Sequence, residues 1–351
     1  MSTTQSQRKL TASIVLALAA LGVVMIGLLW FDPNPSSGIE PVTEVTEADS
    51  GGISQGSATT EDTVADDEQA PPGIAASCEF VDANVRIEGA QGGQYKDLDI
   101  PARTTFDAAT ASWTAVSDYP IRLSGGSDVC WHGGIVRGMY PDTDSWDRMH
   151  DTAAFTATLP QFVGTGIRVH NYGDAVNIVD HAENFTFREL HLTYIRDDCI
   201  ENDRLHGGVV EDSLFDGCYT ALSARPNPSD SESDGRGDVW VIRRSLIRLQ
   251  PMPTVYKGEA PGHGRFFKWD NNGRGPTLEL HDNVFRADQP PNDGDLGLPD
   301  GHLGSCSGNV MVWLGGGEFP GTLPDCFTIT TDLAVWEQAV AEWTTDFERY
   351  D

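Results

Sequence analysis

The chain has 351 residues, and its 53 Asp and Glu against 23 Lys and Arg give a formal net charge of −30. A nucleic-acid partner needs a basic face to displace counterions, so this balance excludes that class.

Taken in chain order, the first element is an apolar run. Arg8 and Lys9 precede an uncharged, proline-free stretch from Leu10 to Phe31. At ~1.5 Å per residue roughly 20 apolar residues cross a bilayer, whereas the apolar core of a cleaved signal peptide runs about 7–15. Residues 10–31 therefore read as a transmembrane signal anchor. The basic pair on its N-terminal side leaves 1–9 cytoplasmic and places everything after the span outside, at the cell surface or in a periplasm. Residues 32–77 hold no Lys or Arg and almost no large apolar side chain. Such a segment cannot bury enough surface to offset its ordering entropy, and reads as a disordered acidic linker.

All six cysteines lie in 78–351: Cys78, Cys130, Cys199, Cys218, Cys306 and Cys326. An even count in an exported domain without a C-x-x-C pair points to disulfides, with sequential pairing the expected arrangement.

A six-residue pattern recurs through this region: WHGGIV from Trp131, FRELHL from Phe187, VEDSLF from Val210, IRRSLI from Ile242, LHDNVF from Leu280 and CSGNVM from Cys306. Each reads as strand, tight turn, strand. The last five are separated by 23, 32, 38 and 26 residues, and the long intervals contain polar Gly/Pro/Asp stretches. Without those loops one coil takes about two dozen residues, the rung length of a parallel β-helix, in which each coil buries its apolar side chains by stacking on its neighbours. A second row of strands, AVNIVD, DCIEND, ALSAR and FFKWD, aligns Val176, Ile200, Leu222 and Phe267 in one inward column. An antiparallel sandwich has short strands too, but needs no ladder of fixed period. The expected fold is thus an all-β, single-stranded right-handed parallel β-helix over 78–331. From Asp332 the period changes, with Leu333, Trp336, Val340, Trp343 and Phe347 at helical spacing. Residues 332–351 are expected to form an α-helix that caps the open end of the last coil.

With these repeats the chain resembles the right-handed β-helices of the pectin-lyase-like superfamily. RDDCIEND at 196–203 is similar to the Gly-Asp-Asp-Cys-Ile strand of polygalacturonases. The resemblance implies that Asp197 and Asp198 match that family's catalytic aspartates, with Asp174 in YGDAVNIV corresponding to the preceding one. Gly262-His263-Gly264 repeats the family's Gly-His-Gly in spelling but on a different rung, and Arg265 and Lys268 in RFFKW echo its Arg-Ile-Lys motif.

Period-2 alternation turns the neighbours of the inward column outward. Asn177, Glu201, Ser223 and Lys268 form one outward column, and Val179, Asp203, Arg225 and Asp270 the next. The candidate catalytic residues are Asp198, Glu201, Asp203, Lys268 and Asp270, for acid/base chemistry. The candidate substrate-binding residues are Arg225, Asn177, Arg265 and His206, the cations orienting a sugar carboxylate. The competing reading is a ladder of ordinary ion pairs between strands. No cofactor is required, calcium being the one ion these acids suit. The acidic loops with Asp230, Glu232 and Asp234, or Asp293, Asp295 and Asp300, lack EF-hand spacing and read as solvated. Trp240, Trp269 and Trp313 suit sugar stacking but by default pack inside. The expected function is an anchored lyase or glycoside hydrolase of an acidic polysaccharide, and the rival a non-catalytic surface module that binds glycans, adheres, or is structural.

Overall fold

The computed structural model describes Cys78 and residues 83–347, apart from 115–116, 227–229, 231 and 293. The anchor expected at 10–31 and the linker at 32–77 lie outside the described residues. Among the described residues no helix is long and apolar enough to cross a membrane.

The six-residue repeat works as a corner piece. Its first residue is an inward anchor: Phe187, Val210, Ile242 and Leu280 are fully buried and, with Cys306, pair in register from one coil to the next. The third residue takes a left-handed conformation, with φ 53° at Glu189, 50° at Asp212, 48° at Arg244, 55° at Asp282 and 66° at Gly308. One such residue per coil turns the chain sharply, and Asp and Gly bear it most cheaply. The fourth residue then satisfies backbone groups inside the corner. Ser245 Oγ accepts from Ser213 N at 3.3 Å, Asn283 Oδ1 from Ser245 N at 3.0 Å, and Asn309 Oδ1 from Asn283 N at 3.1 Å.

Repeated corners stack the strands into a nine-stranded sheet and a branched 15-stranded sheet, both parallel. The long strands His191–Asn202 and Leu214–Ala224 turn a corner within the second sheet. Their first halves pair together with Arg168–His170 and Leu246–Leu249, and their second halves with Asp174–Ile178 and Phe267–Trp269. The result is an all-β, parallel β-helix-like coil with three strand faces. Val176, Ile200, Leu222 and Phe267 stack in register, all at most 5 % exposed, as the inward column requires. Trp240, Trp269 and Trp313 are buried in the same interior. Sequential disulfides join Cys78 to Cys130, Cys199 to Cys218 and Cys306 to Cys326.

The C-terminal helix α2, Leu333–Phe347, forms where expected, with Asp332 Oδ1 accepting from Ala334 N at 3.0 Å. Its position corrects the capping role. α2 lies along the side of the coil, over the outward residues Leu214, Leu246, Val284 and Val310, rather than across the end. Trp336 sits under Arg286, Trp343 Nε1 donates to Asp212 O at 2.7 Å, and Arg168 donates to Phe347 O at 3.1 Å. A 15-residue helix is ~22 Å long, close to the ~24 Å taken by five strand spacings from Val310 back to Arg168. An outward apolar row attracts the helix's apolar stripe more strongly than a narrow coil end does.

Candidate active site

The face formed by Asp174–Ile178, the end of His191–Asn202, the end of Leu214–Ala224 and Phe267–Trp269 carries an acidic cluster. Local strand geometry assembles it. Opposite Ile195–Asp198 the neighbouring strand offers only Cys218 to Thr220, so the His191–Asn202 strand holds one extra residue there. This bulge breaks the alternation that would send Asp197 and Asp198 to opposite faces. Their carboxylates and that of Asp174 instead converge, each offering an oxygen within 4.8 Å of the others. Asp198 N donates to Asp174 Oδ1 at 3.1 Å, fixing the two side by side.

The expected outward column completes the site. Asn177, Glu201, Ser223 and Lys268 are in register. Lys268 Nζ is 2.7 Å from Asp198 Oδ2, and Asn177 Nδ2 donates to Glu201 Oε2 at 2.8 Å. The carboxyl groups of Asp174 and Glu201 hydrogen-bond each other. Asp203 lies beside Glu201, at the mouth of a cleft of about 550 Å³ bounded also by Asn177 and Arg204.

Burial decides the electrostatics. Burial, reinforced by Glu201, Asp197 and Asp198, pushes Asp174 well above the ordinary carboxylate range. Burial and the charges of Asp203 and Asp198 raise Glu201 to about 8. Burial raises Asp198 too, but Lys268 restrains the rise to about 6. Burial also raises Asp203. Lys268 is held above an ordinary lysine because Asp198, Asp197 and Glu201 outweigh its own desolvation. At neutral pH the site therefore contains a protonated carboxyl, Glu201, beside a carboxylate, Asp198, paired with a lysine. Separated proton affinities on neighbouring acids are the arrangement from which general acid and general base are drawn.

A short helix roofs this cluster. α1, Trp146–His150, starts at Ser145, whose side chain accepts from Arg148 N. Trp146 Nε1 reaches Asp197 Oδ1 at 3.2 Å, and His150 Nδ1 meets Asp197 Oδ2 at 3.2 Å. The two rings stack with centroids 4.6 Å apart, and Tyr256 of the 3₁₀ turn Tyr256–Gly258 packs edge-on against Trp146. Buried Arg196 ties the roof down through Pro141 O, Asp144 O and Thr254 Oγ1, and Arg148 pairs with Asp118. Hydrogen bonding to Asp197 raises the His150 pKa.

Of the sequence-derived candidates, Asp198, Glu201, Asp203, Lys268 and Asn177 come together. The other four do not join them. Asp270 lies past the end of its strand and caps a turn, accepting from Asn272 N at 3.0 Å and Arg274 N at 3.1 Å. Arg225 is exposed just beyond Ala224, where the sheet alternation no longer directs it. Arg265 packs its guanidinium beside Gly294. His206 is held by Asn202 and by the backbone carbonyl of Asp180. His263 is buried, with Nδ1 against Gly264 O at 2.9 Å. Trp146, His150 and Arg196 escaped the sequence reading because they act across some 50 residues of chain without a repeat to place them.

The spacing of Asp174, Asp197 and Asp198 is one that a divalent cation such as calcium can bridge. Lys268 already engages Asp198 Oδ2, Trp146 and His150 the two oxygens of Asp197, and Asp198 N the Oδ1 of Asp174, while Asp198 Oδ1 is buried without a hydrogen-bond partner among the described residues. No family model matches the chain, and neither a curated protein nor a solved structure does, so the functional reading rests on this geometry.

Proposed function

We propose that the chain is a membrane-anchored, extracytoplasmic glycoside hydrolase of an acidic polysaccharide, built on a right-handed parallel β-helix of the pectin-lyase-like kind. One observation carries the reading: Asp174, Asp197, Asp198 and Glu201 converge on one face, and burial drives the proton affinities of Asp174, Asp198 and Glu201 up to different extents. A protonated carboxyl supplies the proton that the departing sugar oxygen needs, and a neighbouring carboxylate activates water or attacks the anomeric carbon. Hydrolysis is favoured over β-elimination because elimination needs a neutral lysine or a free arginine as base beside the bond to be cleaved. Arg122, the cleft arginine without a carboxylate partner among the described residues, stands three strands, ~14 Å, from Glu201. Lys268 is locked in its charged form against Asp198. Calcium has no catalytic part in this scheme, since Lys268 and His150 already face the acids.

The second reading is a non-catalytic glycan-binding or adhesion module. What favours it is the roof: Trp146 and His150 engage both oxygens of Asp197, which a substrate must reach. Incubating the full-length chain with a panel of uronate polysaccharides separates the readings. Hydrolysis releases reducing ends without the ultraviolet absorbance of an unsaturated product, elimination gives both, and a binding module gives neither. Asp198→Asn is expected to lower the hydrolytic rate by about 100-fold or more. Full activity in that variant removes the proposal.

A further inference from the structure

The 550 Å³ cleft extends the carboxylate site along one outward row of the sheet. Consecutive strand pairings bring Arg122, Thr156, Asn177 and Glu201 side by side. At ~4.8 Å per strand, Arg122 stands ~14 Å from Glu201, further than one sugar ring reaches.

Three polar groups on this row have capacity to spare. Arg122 is exposed, its guanidinium 5.5 Å from the centroid of the Tyr119 ring, and among the described residues no carboxylate pairs with it. Arg204, also lining the cleft, is committed to Asp180 and Asp230. Thr156 is only 7 % exposed, yet its Oγ1 has no hydrogen-bond partner among the described residues. Asn177 gives its Nδ2 to Glu201 while its buried Oδ1 has none. Native proteins rarely leave buried polar atoms unsatisfied, and such atoms lining a cleft mark where a polar ligand belongs. The ring of Tyr119 beneath Arg122 limits the freedom of a long side chain, which lowers the entropy lost on binding.

We propose that Arg122, Thr156 and Asn177 form a subsite for a carboxylate-bearing sugar of a longer chain, with Arg122 as the specificity-determining residue. This rests on the hydrolase reading, which sets the bond to be cleaved beside Asp198 and Glu201. A guanidinium takes a carboxylate through two parallel N–H···O bonds, while Thr156 and Asn177 take the ring hydroxyls. The acids nearest the row do not repel the ligand fully, because Arg204 neutralises Asp180 and Asp230.

The test is isothermal titration of the full-length chain, in mild detergent, with an oligouronide and with its carboxyl-reduced neutral counterpart. Arg122→Gln is expected to weaken oligouronide binding about tenfold or more, the loss of one charge-assisted pair, and to leave the neutral counterpart's affinity unchanged. Because Arg122 is exposed, the variant should melt with the unmutated chain. Equal losses on both ligands, no loss on the oligouronide, or no binding by the unmutated chain each overturn the subsite. If the variant discriminates as expected but no reducing ends are ever released, the subsite stands and the hydrolase reading falls. If reducing ends are released and Arg122→Gln changes neither affinity nor rate, the hydrolase reading stands and the subsite falls.

Discussion

Glu201 carries the clearest consequence of burial for a single residue. Its pKa of about 8 in the folded chain stands above the ordinary 4.5. Between those values the folded state holds a proton that the unfolded state has released, so folding stability falls as pH rises. The contribution is complete below about 4.5 and gone above about 8. Asp174 and His150, also shifted upward, act in the same direction. Glu201→Gln removes one titrating group, so its melting temperature should fall less steeply than that of the unmutated chain from about pH 5 to pH 8. Identical slopes would show that Glu201 is not held protonated. The sequence exposes Glu201 and Lys268 directly, because period-2 alternation from a buried column is a reliable guide within regular strands. It misplaces Asp270 and Arg225 because both lie just past a strand end, where alternation no longer applies. Asp197 and Asp198 share a face only through the bulge, and an inserted residue has no signature in the hydrophobic pattern.

Among the elements, the six-residue corner is the most legible. Its positions encode an anchor, a left-handed turn and, in the last four repeats, a buried Ser or Asn (Ser213, Ser245, Asn283 and Asn309). A further corner at Gly164–Val169 went unread because glycine replaces its inward anchor, although Gly164 pairs with Trp131 and Phe187. The place of α2 was also written in the repeat. SLF, SLI, NVF and NVM end in two adjacent apolar residues, and adjacent strand residues face opposite ways, so both faces of that sheet must be covered. The inward residue meets the core, and the outward Leu214, Leu246, Val284 and Val310 require the helix. Trp343 is the central contact, 4 % exposed and hydrogen-bonded to Asp212 O. Trp343→Ala should cost about 3–5 kcal/mol, as for other buried aromatic truncations, read as a drop in the denaturant midpoint. A cost below about 1 kcal/mol would mean that α2 is loosely held.

At the scale of the whole coil, stability is passed between nearest neighbours. Each coil contacts the one before and the one after, so the interior coils have two partners and the ends one. The three disulfides fit that asymmetry. Cys78–Cys130 ties the residue ahead of the first described strand to Cys130–His132, and Cys306–Cys326 ties Leu303–Ser307 to the residue ahead of the last strand, whereas Cys199–Cys218 joins two interior coils immediately beside Asp198. Closing a loop of 19 residues is worth about 3 kcal/mol by the chain-entropy account. The apolar core runs from Ile87 to Trp313, so the interior coils are stacked on both sides without that link, whereas each end coil is stacked on one side only. Reduction should therefore raise amide hydrogen exchange first in Val85–Arg86, Leu303–Ser307 and Phe327–Thr330, while Asp174–Ile178 and Leu214–Ala224 stay protected. Exchange measured by mass spectrometry with and without reductant decides the matter. A uniform rise along the chain would make the coil one cooperative unit, and the independence of its rungs, on which the reading of sequence into fold depends, would be lost.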